Sequence, residues 1–451
     1  MRGAGSSIVV ALFLCLPAGL LGQADSPAPV TNAMPTSDFG FNLPTHLGTL
    51  SYSLTGSEMF ETGYGSVDAN TALSGNLAYI SSSERAPFSA VYSGGVFFSS
   101  VPGYGSVETF QSVAASQVYK TRSWVFVASD AFSYLPQAPT TGLAGVPGIG
   151  DIGVPPVQTG VGPEVSILSN YAPQITNGLT GSATWQTTPD LDLQASGYWQ
   201  ILHYTGDNTS NTSTTGTLTS NTGLDTNTVG GTIGPNYRID ARNSVGAEAY
   251  YSDYTYPNYP QFGLESEGVN VSYNRAWTRR LSTTVSFGPE RTHGTSFTGI
   301  PSDPAVVIPF QWNLAGSASA SYATRTTGFT GSYSRGVTAG SGVLFGSLAD
   351  TVSAGMSRPI NRDWNMSYQL GYSHNVGLAP INGALPVYDS VYGAAQVSHR
   401  LTETLSLYAS YTPIWQSAKN QPYYATPAFS GFNNIFSIGI TFAPAPLVSG
   451  R

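Results

Sequence analysis

Apolar and polar residues alternate with a period of two along most of this chain. The clearest example is the hairpin at 387–415, whose second arm has one apolar face and one hydroxyl-rich face. The apolar face consists of Leu405, Leu407, Ala409, Tyr411 and Trp415. This face mixes aromatic side chains with alanine, whereas the core of a soluble sandwich would be built of Val, Ile and Leu. The pattern therefore predicts strands that face lipid.

The same alternation predicts eighteen strands, with sixteen as the alternative. They span 47–55, 71–80, 86–98, 107–119, 122–134, 176–186, 190–204, 226–239, 244–256, 266–277, 280–292, 310–323, 326–337, 344–358, 363–376, 387–400, 403–416 and 432–442. Short and long connections alternate between them, the longest being 137–174. Tight periplasmic turns and long extracellular loops are typical of outer-membrane barrels.

These features predict an all-β fold, a transmembrane antiparallel up-and-down β-barrel with both termini in the periplasm. A β-propeller is the main soluble alternative. Its strands have about five residues and come four to a blade, so the long strands of this chain disfavour it.

All seven tryptophans fall at strand ends on the apolar faces. Four lie beside short turns and three at the opposite strand ends: Trp124, Trp185, Trp277 and Trp364 in the first group, and Trp199, Trp312 and Trp415 in the second. Amphipathic indoles concentrate at the two membrane–water interfaces, so these residues are predicted to form two aromatic girdles. Leu314, in contrast, is expected near the middle of an outward face.

The composition and the first residues agree with this class of fold. Charged residues make up 9% of the chain, too few for an ordinary soluble surface, and a mean hydropathy of -0.05 excludes a helical membrane protein. Residues 1–24 have the basic, apolar and small-residue segments of a secretory signal peptide, which contains the single cysteine, Cys15. The predicted organisation is a signal peptide (1–24), a flexible lead-in (25–46), the barrel (47–442) and a short tail (443–451).

The last predicted strand ends in NNIFSIGITF, where Phe436, Ile438, Ile440 and Phe442 alternate and finish on an aromatic residue. Together with the strand pattern and the girdles, this strand resembles the assembly signal of porin-like bacterial outer-membrane β-barrels. The resemblance covers 47–442. It implies a location in the outer membrane of a Gram-negative bacterium, with outer-membrane lipids and the barrel assembly machinery as partners. Nine further residues follow Phe442, which departs from the family's pattern.

Charged residues are few on the inward faces of the predicted strands. The clearest inward charges are Asp192, Arg238 and Glu248. The Gly- and Pro-rich connection 137–174 is long enough to be functional, and it is predicted to fold into the barrel mouth with Asp151 and Glu164 as constriction acids. The alternative for this segment is a surface loop packed on its neighbours.

A barrel of sixteen to eighteen strands is too wide to be filled by the Ser, Thr, Gly and Asn side chains that face its lumen, so the lumen is expected to hold water. The leading hypothesis is a passive, weakly selective, porin-like channel for small polar solutes. The alternative is a non-conducting barrel that serves as a surface adhesin, a scaffold or a component of an exopolysaccharide system. No catalytic constellation, metal-ligand spacing, cofactor motif or basic run for nucleic acid stands out, so we expect neither an enzyme nor a nucleic-acid-binding protein.

Overall fold

The structure is a computed structural model of the whole chain. It describes residues 48–63, 66–81, 83, 85–99, 107–135, 167, 174–205, 224–260, 262–294, 308, 310–380, 384–421 and 430–448. The predicted signal peptide and the lead-in therefore lie outside the described residues. Within the described part of the chain, no helix is long and apolar enough to cross a membrane.

In the part of the chain that the structure describes, eighteen long strands form one antiparallel sheet. In chain order they are β1 (Thr49–Gly63), β2 (Ser66–Ile80), β3 (Phe88–Ser99), β4 (Glu108–Lys120), β5 (Trp124–Leu135), β6 (Gln174–Gln186), β7 (Leu191–Tyr204), β8 (Thr226–Arg238), β9 (Asn243–Thr255), β10 (Gly263–Ala276), β11 (Leu281–Gly294), β12 (Gln311–Ala323), β13 (Gly328–Thr338), β14 (Ser347–Pro359), β15 (Trp364–Gly377), β16 (Val387–Arg400), β17 (Leu405–Lys419) and β18 (Gly431–Phe442). Each strand pairs with its neighbours in sequence. The predicted count of eighteen is confirmed.

The sheet closes on itself between its first and last strands. β1 pairs with β18 from Leu54↔Phe442 to Thr62↔Asn434, and β1 also pairs with β2 along its whole length. A two-residue strand, β19 (Leu447–Val448), adds to the start of β1. Because the closed sheet has no free edge, all of its strand backbone groups can pair within the barrel, as a hydrocarbon environment requires.

The first hairpin differs from its prediction. Residues 56–70 were expected to form a long connection, but β1 and β2 run through them and are separated only by residues 64–65. Glu58 and Glu61 are therefore strand residues. Glu58 lies on the outer wall and accepts a hydrogen bond from Thr71 Oγ1 (2.8 Å), whereas Glu61 faces the lumen and is buried.

The short connections are turns built around one polar side chain. Between β8 and β9, Oδ1 of Asp240 accepts hydrogen bonds from the backbone N–H groups of Arg242 (2.6 Å) and Asn243 (2.9 Å). The Arg242 N–H bond and then the Asn243 side chain hold the pKa of Asp240 below its usual range. The side chain thus takes the place of a backbone turn, which explains why four residues suffice to reverse the strand direction.

Large apolar side chains lie exposed on the outer wall around the whole barrel, as on Leu54, Val229, Phe287, Leu370 and Ile438. A soluble protein would bury such a continuous surface, whereas a lipid bilayer covers it. Inward positions carry small polar residues instead. Hydroxyl pairs bridge neighbouring strands along them, namely Ser129–Thr180 (2.5 Å), Ser196–Thr232 (2.9 Å) and Ser286–Ser317 (2.7 Å).

Candidate functional site at the barrel mouth

The connection between β13 and β14, residues 339–346, is buried along its whole length. We call this segment the mouth loop. It belongs to the end of the barrel that carries the long connections, called the long-loop end; the other end is the short-turn end. The sequence AGSGVLFG allows a tight fold, because Gly340 (φ 85°), Ser341 (φ 54°), Gly342 (φ 70°) and Gly346 (φ 79°) adopt left-handed backbone conformations.

Three buried tyrosines hold the backbone of the mouth loop and of the end of β13 by donating hydrogen bonds to carbonyl oxygens. Tyr204 donates to Ser341 (3.3 Å), Tyr254 to Val337 (3.1 Å) and Tyr256 to Ala339 (3.1 Å). Tyr204 ends β7, six strands away from β13. The mouth loop therefore extends inward across the opening and does not stand above its own hairpin.

Aromatic packing fixes the second half of the mouth loop. The ring of Phe345 lies 4.5 Å from that of Phe262 and 5.1 Å from those of Tyr256 and Tyr259, measured between centroids. Burial in this cluster raises the pKa of Tyr259. A Cβ atom at Gly346 would overlap Cδ2 of Leu264, so the cluster also leaves no room for a larger residue there.

The other side of the mouth loop packs against Ile167. This residue belongs to the long connection 137–174, is 2% exposed and lies with Val343, Leu344 and Tyr388 in one apolar cluster. At Ile167, the long connection reaches the inside of the mouth. Asp151 and Glu164 lie outside the described residues, so their role in a constriction stays a prediction.

A buried carboxylate holds the end of β13, just before the mouth loop, to the barrel wall. Glu290 on β11 is 3% exposed, accepts a hydrogen bond from Ser266 Oγ (2.6 Å) and accepts another from the backbone N–H of Val337 (3.2 Å to Oε2). The pairing of β12 with β13 ends at Gly316↔Arg335. Beyond this point β13 separates from β12, and Glu290 supplies the acceptor for Val337 as the chain turns inward.

The inward-facing acids lie on both sides of the barrel. Asp192 and Glu248, both predicted from the sequence, occupy inward positions on β7 and β9 and are partly exposed. Glu61 and Glu290 were missed. Glu290 is three residues from the outward-facing Phe287, so the alternation along β11 places Glu290 on the inward face. Glu61 could not be found in this way, because it had been assigned to a connection. Glu61 accepts a hydrogen bond from Asn433 Nδ2 (2.5 Å) across the seam where the barrel closes.

No basic residue shares the middle of the inner wall with these acids. The chain has 17 Lys and Arg residues, and all except Arg2 and Arg451 are described. The inward ones are the last residues of their strands at the short-turn end: Lys120, Arg238 and Arg400. The others lie on the outer wall or in turns: Arg275, Arg291, Arg335, Arg358 and Lys419 on the wall, and Arg85, Arg122, Arg242, Arg279, Arg280, Arg325 and Arg362 in turns.

The structure places all seven tryptophans on the outer wall with their side chains exposed. Trp124 stacks on Trp185 (5.4 Å between centroids), and the guanidinium of Arg275 lies 3.9 Å from the ring centre of Trp277. The assignment of Trp199, Trp312, Trp364 and Trp415 to girdles, like that of the other three, stays a prediction. Phe436, Ile438, Ile440 and Phe442 also lie exposed on the outer face of β18, and their role in assembly is likewise untested.

Away from the short-turn end, the polar side chains of the described lumen wall are hydroxyls, amides and carboxylates. Among the described residues, no group of three His, Cys, Asp or Glu side chains is placed to hold a metal ion. His203 and His374 lie on the outer wall and bind the carboxylates of Asp225 and Asp389, each at 2.7 Å. In each pair the histidine and the aspartate satisfy each other's hydrogen-bonding groups at the long-loop end, so the two pairs are explained as structural parts of the barrel wall.

No protein-family model and no curated protein matches the chain. Solved structures to which it is similar include OccAB3 of Acinetobacter baumannii, at 11% identity and a TM-score of 0.39, covering 88% of this chain and 99% of that one. OccK2 (OpdF) of Pseudomonas aeruginosa has 9% identity and a TM-score of 0.40 over 89% and 98%. OprD of the same organism has 12% identity and a TM-score of 0.37 over 89% and 96%.

At such identities and TM-scores, these similarities do not bear on what this chain transports or binds. The strand pairing, the closure between β1 and β18 and the exposed apolar wall identify the fold without them. The chain is an 18-stranded transmembrane β-barrel of porin-like architecture, of the type that spans the bacterial outer membrane.

Proposed function

We propose that the protein is a passive outer-membrane channel for small polar solutes, with a weak preference for cations and neutral solutes over anions. The observation that carries this proposal is the sign of the fixed charges on the inner wall. Glu61, Asp192, Glu248 and Glu290 face inward, and no Lys or Arg of the described chain faces the lumen away from the short-turn rim.

The inward acids attract or repel the ions that pass through the lumen, and the low-dielectric wall of the barrel concentrates their electric field inside it. A lumen lined by charges of one sign concentrates the opposite ion and repels ions of its own sign. Glu248 is partly exposed and can interact with solute directly, whereas Glu290 is buried and accepts a hydrogen bond from Val337 at the end of β13. The effect is weak because a water-filled lumen of this width screens single charges within about 10 Å at 0.1 M salt.

The competing function is a non-conducting barrel that serves as a scaffold or adhesin. One observation favours it, since the mouth loop and its aromatic cluster occupy part of the opening. Single-channel recording of the refolded protein in a planar bilayer separates the two functions. A steady conductance supports the channel, and a correctly folded barrel that never conducts supports the scaffold.

Charge selectivity is tested by the reversal potential in a salt gradient. Wild-type protein is expected to show a modest cation preference. Glu248→Gln is expected to reduce this preference, because Glu248 is the most exposed of the inward acids that lie away from the short-turn end. Glu265→Gln is the matched control, because Glu265 is an exposed acid on the outer wall of the neighbouring strand β10. A wild-type channel that prefers anions, or equal effects of the two substitutions, would contradict the assignment of Glu248.

The orientation of the barrel is tested by labelling intact cells with a membrane-impermeant thiol reagent. If the short-turn end faces the periplasm, a cysteine at Asn258, exposed in the connection between β9 and β10, is expected to react. Cysteines at Asp240 or Thr402, both in short turns, are expected to react only after the cells are permeabilised. The reverse pattern would show that the barrel has the opposite orientation.

A further inference from the structure

Among the outward acids of the described strands, one carboxylate lies at least three residues closer to the short-turn end than any other. Asp130 on β5 has the same parity as Trp124, Phe126 and Phe132, and its side chain is exposed. It lies six residues beyond Trp124, or about 15 Å along the membrane normal at the usual strand rise and tilt. The other outward acids of the described strands lie nine or more residues from the short-turn end of their strands.

Lipid alone is a poor neighbour for this side chain. An ionisable group within the hydrocarbon layer is destabilising and is retained where protein or water covers it. Lipid head groups at either surface are too distant to reach the middle of β5. Within the described residues, the one hydrogen bond of the Asp130 side chain is with Asn177 on β6, whose Nδ2 donates to Oδ1 at 3.1 Å.

We propose that the outer wall of β4–β6 around Asp130 is the surface through which two copies of this chain associate in the membrane. The pair carries both an acceptor and a donor, since the second carboxylate oxygen of Asp130 and the second N–H of Asn177 remain available. A two-fold axis beside the pair lets Asn177 of each copy donate to Asp130 of the other. A surface that supplies both halves of one hydrogen bond is complementary to itself.

The surroundings of the pair permit the close approach that such bonds require. Ala115 and Ala128 flank Asp130 on the outer wall, and Gly181 lies beside them on β6. A Cβ atom built at Gly181 would have no atom within 4 Å, so the wall is open at this position. Leu179, which pairs with Asp130, is the one large side chain between Gly181 and Asn177 on the outer face of β6. Small residues let two membrane-embedded backbones come close enough for side chains to form hydrogen bonds between copies. The small residues alone would not identify an interface; they support it here because they lie beside the pair of Asp130 and Asn177.

Cysteine cross-linking in native outer membranes tests the surface. The single natural cysteine, Cys15, lies in the predicted signal peptide, so an introduced cysteine is unique in the mature chain. Gly181→Cys with a short bis-maleimide is expected to give a product of twice the chain mass, in several-fold higher yield than Ala354→Cys. Ala354 is the matched control because it is exposed on the outer wall of β14, nine strands from β5 on the opposite side of the barrel.

Equal yields from the two cysteines, or a product whose mass is not twice that of the chain, would overturn the proposal. In the Gly181→Cys protein, Asp130→Leu is expected to lower the yield several-fold, with heat-modifiable gel migration confirming that the barrel is folded. If Asp130 simply faces lipid, Asp130→Leu leaves the yield unchanged, and the proposal fails. Conductance is recorded separately, so loss of association and absence of a channel remain distinguishable.

Discussion

Val285→Arg is expected to lower the free energy of unfolding by about 2–4 kcal/mol, the cost of an arginine on the lipid face near the bilayer midplane. Val285 is exposed on the outer wall of β11. It lies four residues from the strand's start and six from Arg291, which pairs with Trp312. An arginine here is distant from both interfaces, so its guanidinium cannot easily reach either head-group region.

The matched control is Ser286→Arg at the next position, which faces the lumen and contacts Ser317. It is expected to cost far less, because its charge enters water. Equilibrium unfolding in urea, measured for both variants in the same lipid, checks the difference. Equal costs would mean that outward and inward parities have been assigned wrongly along β11.

The structure also shows that Val285 is a better site than Leu314 for testing the lipid-facing wall with an arginine. Leu314 was expected near the middle of its outward face, and it is indeed exposed on the outer wall. However, it lies only two residues from Trp312 at the long-loop end of β12. An arginine there could extend to the interface, so its cost would be smaller than at Val285.

Strand number and parity could be predicted because they depend on local chemistry. A lipid-facing strand must alternate, and alternation over ten residues is visible without knowing its neighbours. The hairpin at β1–β2 shows the limit of this reasoning. Its outer half contains glycines and the acids Glu58 and Glu61, which are typical of loops. It remains a strand because β18 pairs with β1 up to Thr62, a partner more than 370 residues away.

The mouth loop could not be predicted for a related reason. Residues 344–346 were expected to belong to a strand, since Leu344 and Phe345 are apolar and follow a glycine-rich segment. Their actual place depends on hydrogen bonds from Tyr204 and Tyr256 across the barrel, at sequence separations of 137 and 83 residues. The tyrosines occupy inward positions, which the pattern indicated, but no local signal shows which loop they meet.

Replacing the mouth loop by a two-residue turn is expected to raise single-channel conductance by about twofold or more, since the narrowest cross-section limits the current. Thr338 and Ser347 are directly paired across β13 and β14, so Asn-Gly in place of 339–346 joins them in an ordinary hairpin. The deletion removes Val343, Leu344 and Phe345 from the opening. It also frees Tyr204 and Tyr256 to contact water.

Shortening the loop perturbs packing as well as width, so a second variant separates the two effects. Phe345→Ala keeps the backbone bonds from Tyr204, Tyr254 and Tyr256 but weakens the aromatic cluster. It is expected to destabilise the mouth by a few kcal/mol, as loss of a buried aromatic side chain does, with frequent opening events in the current trace. A folded deletion variant with unchanged conductance would show that the narrowest point lies elsewhere. The connection 137–174, which contributes Ile167 to the same cluster, would then be the next segment to delete.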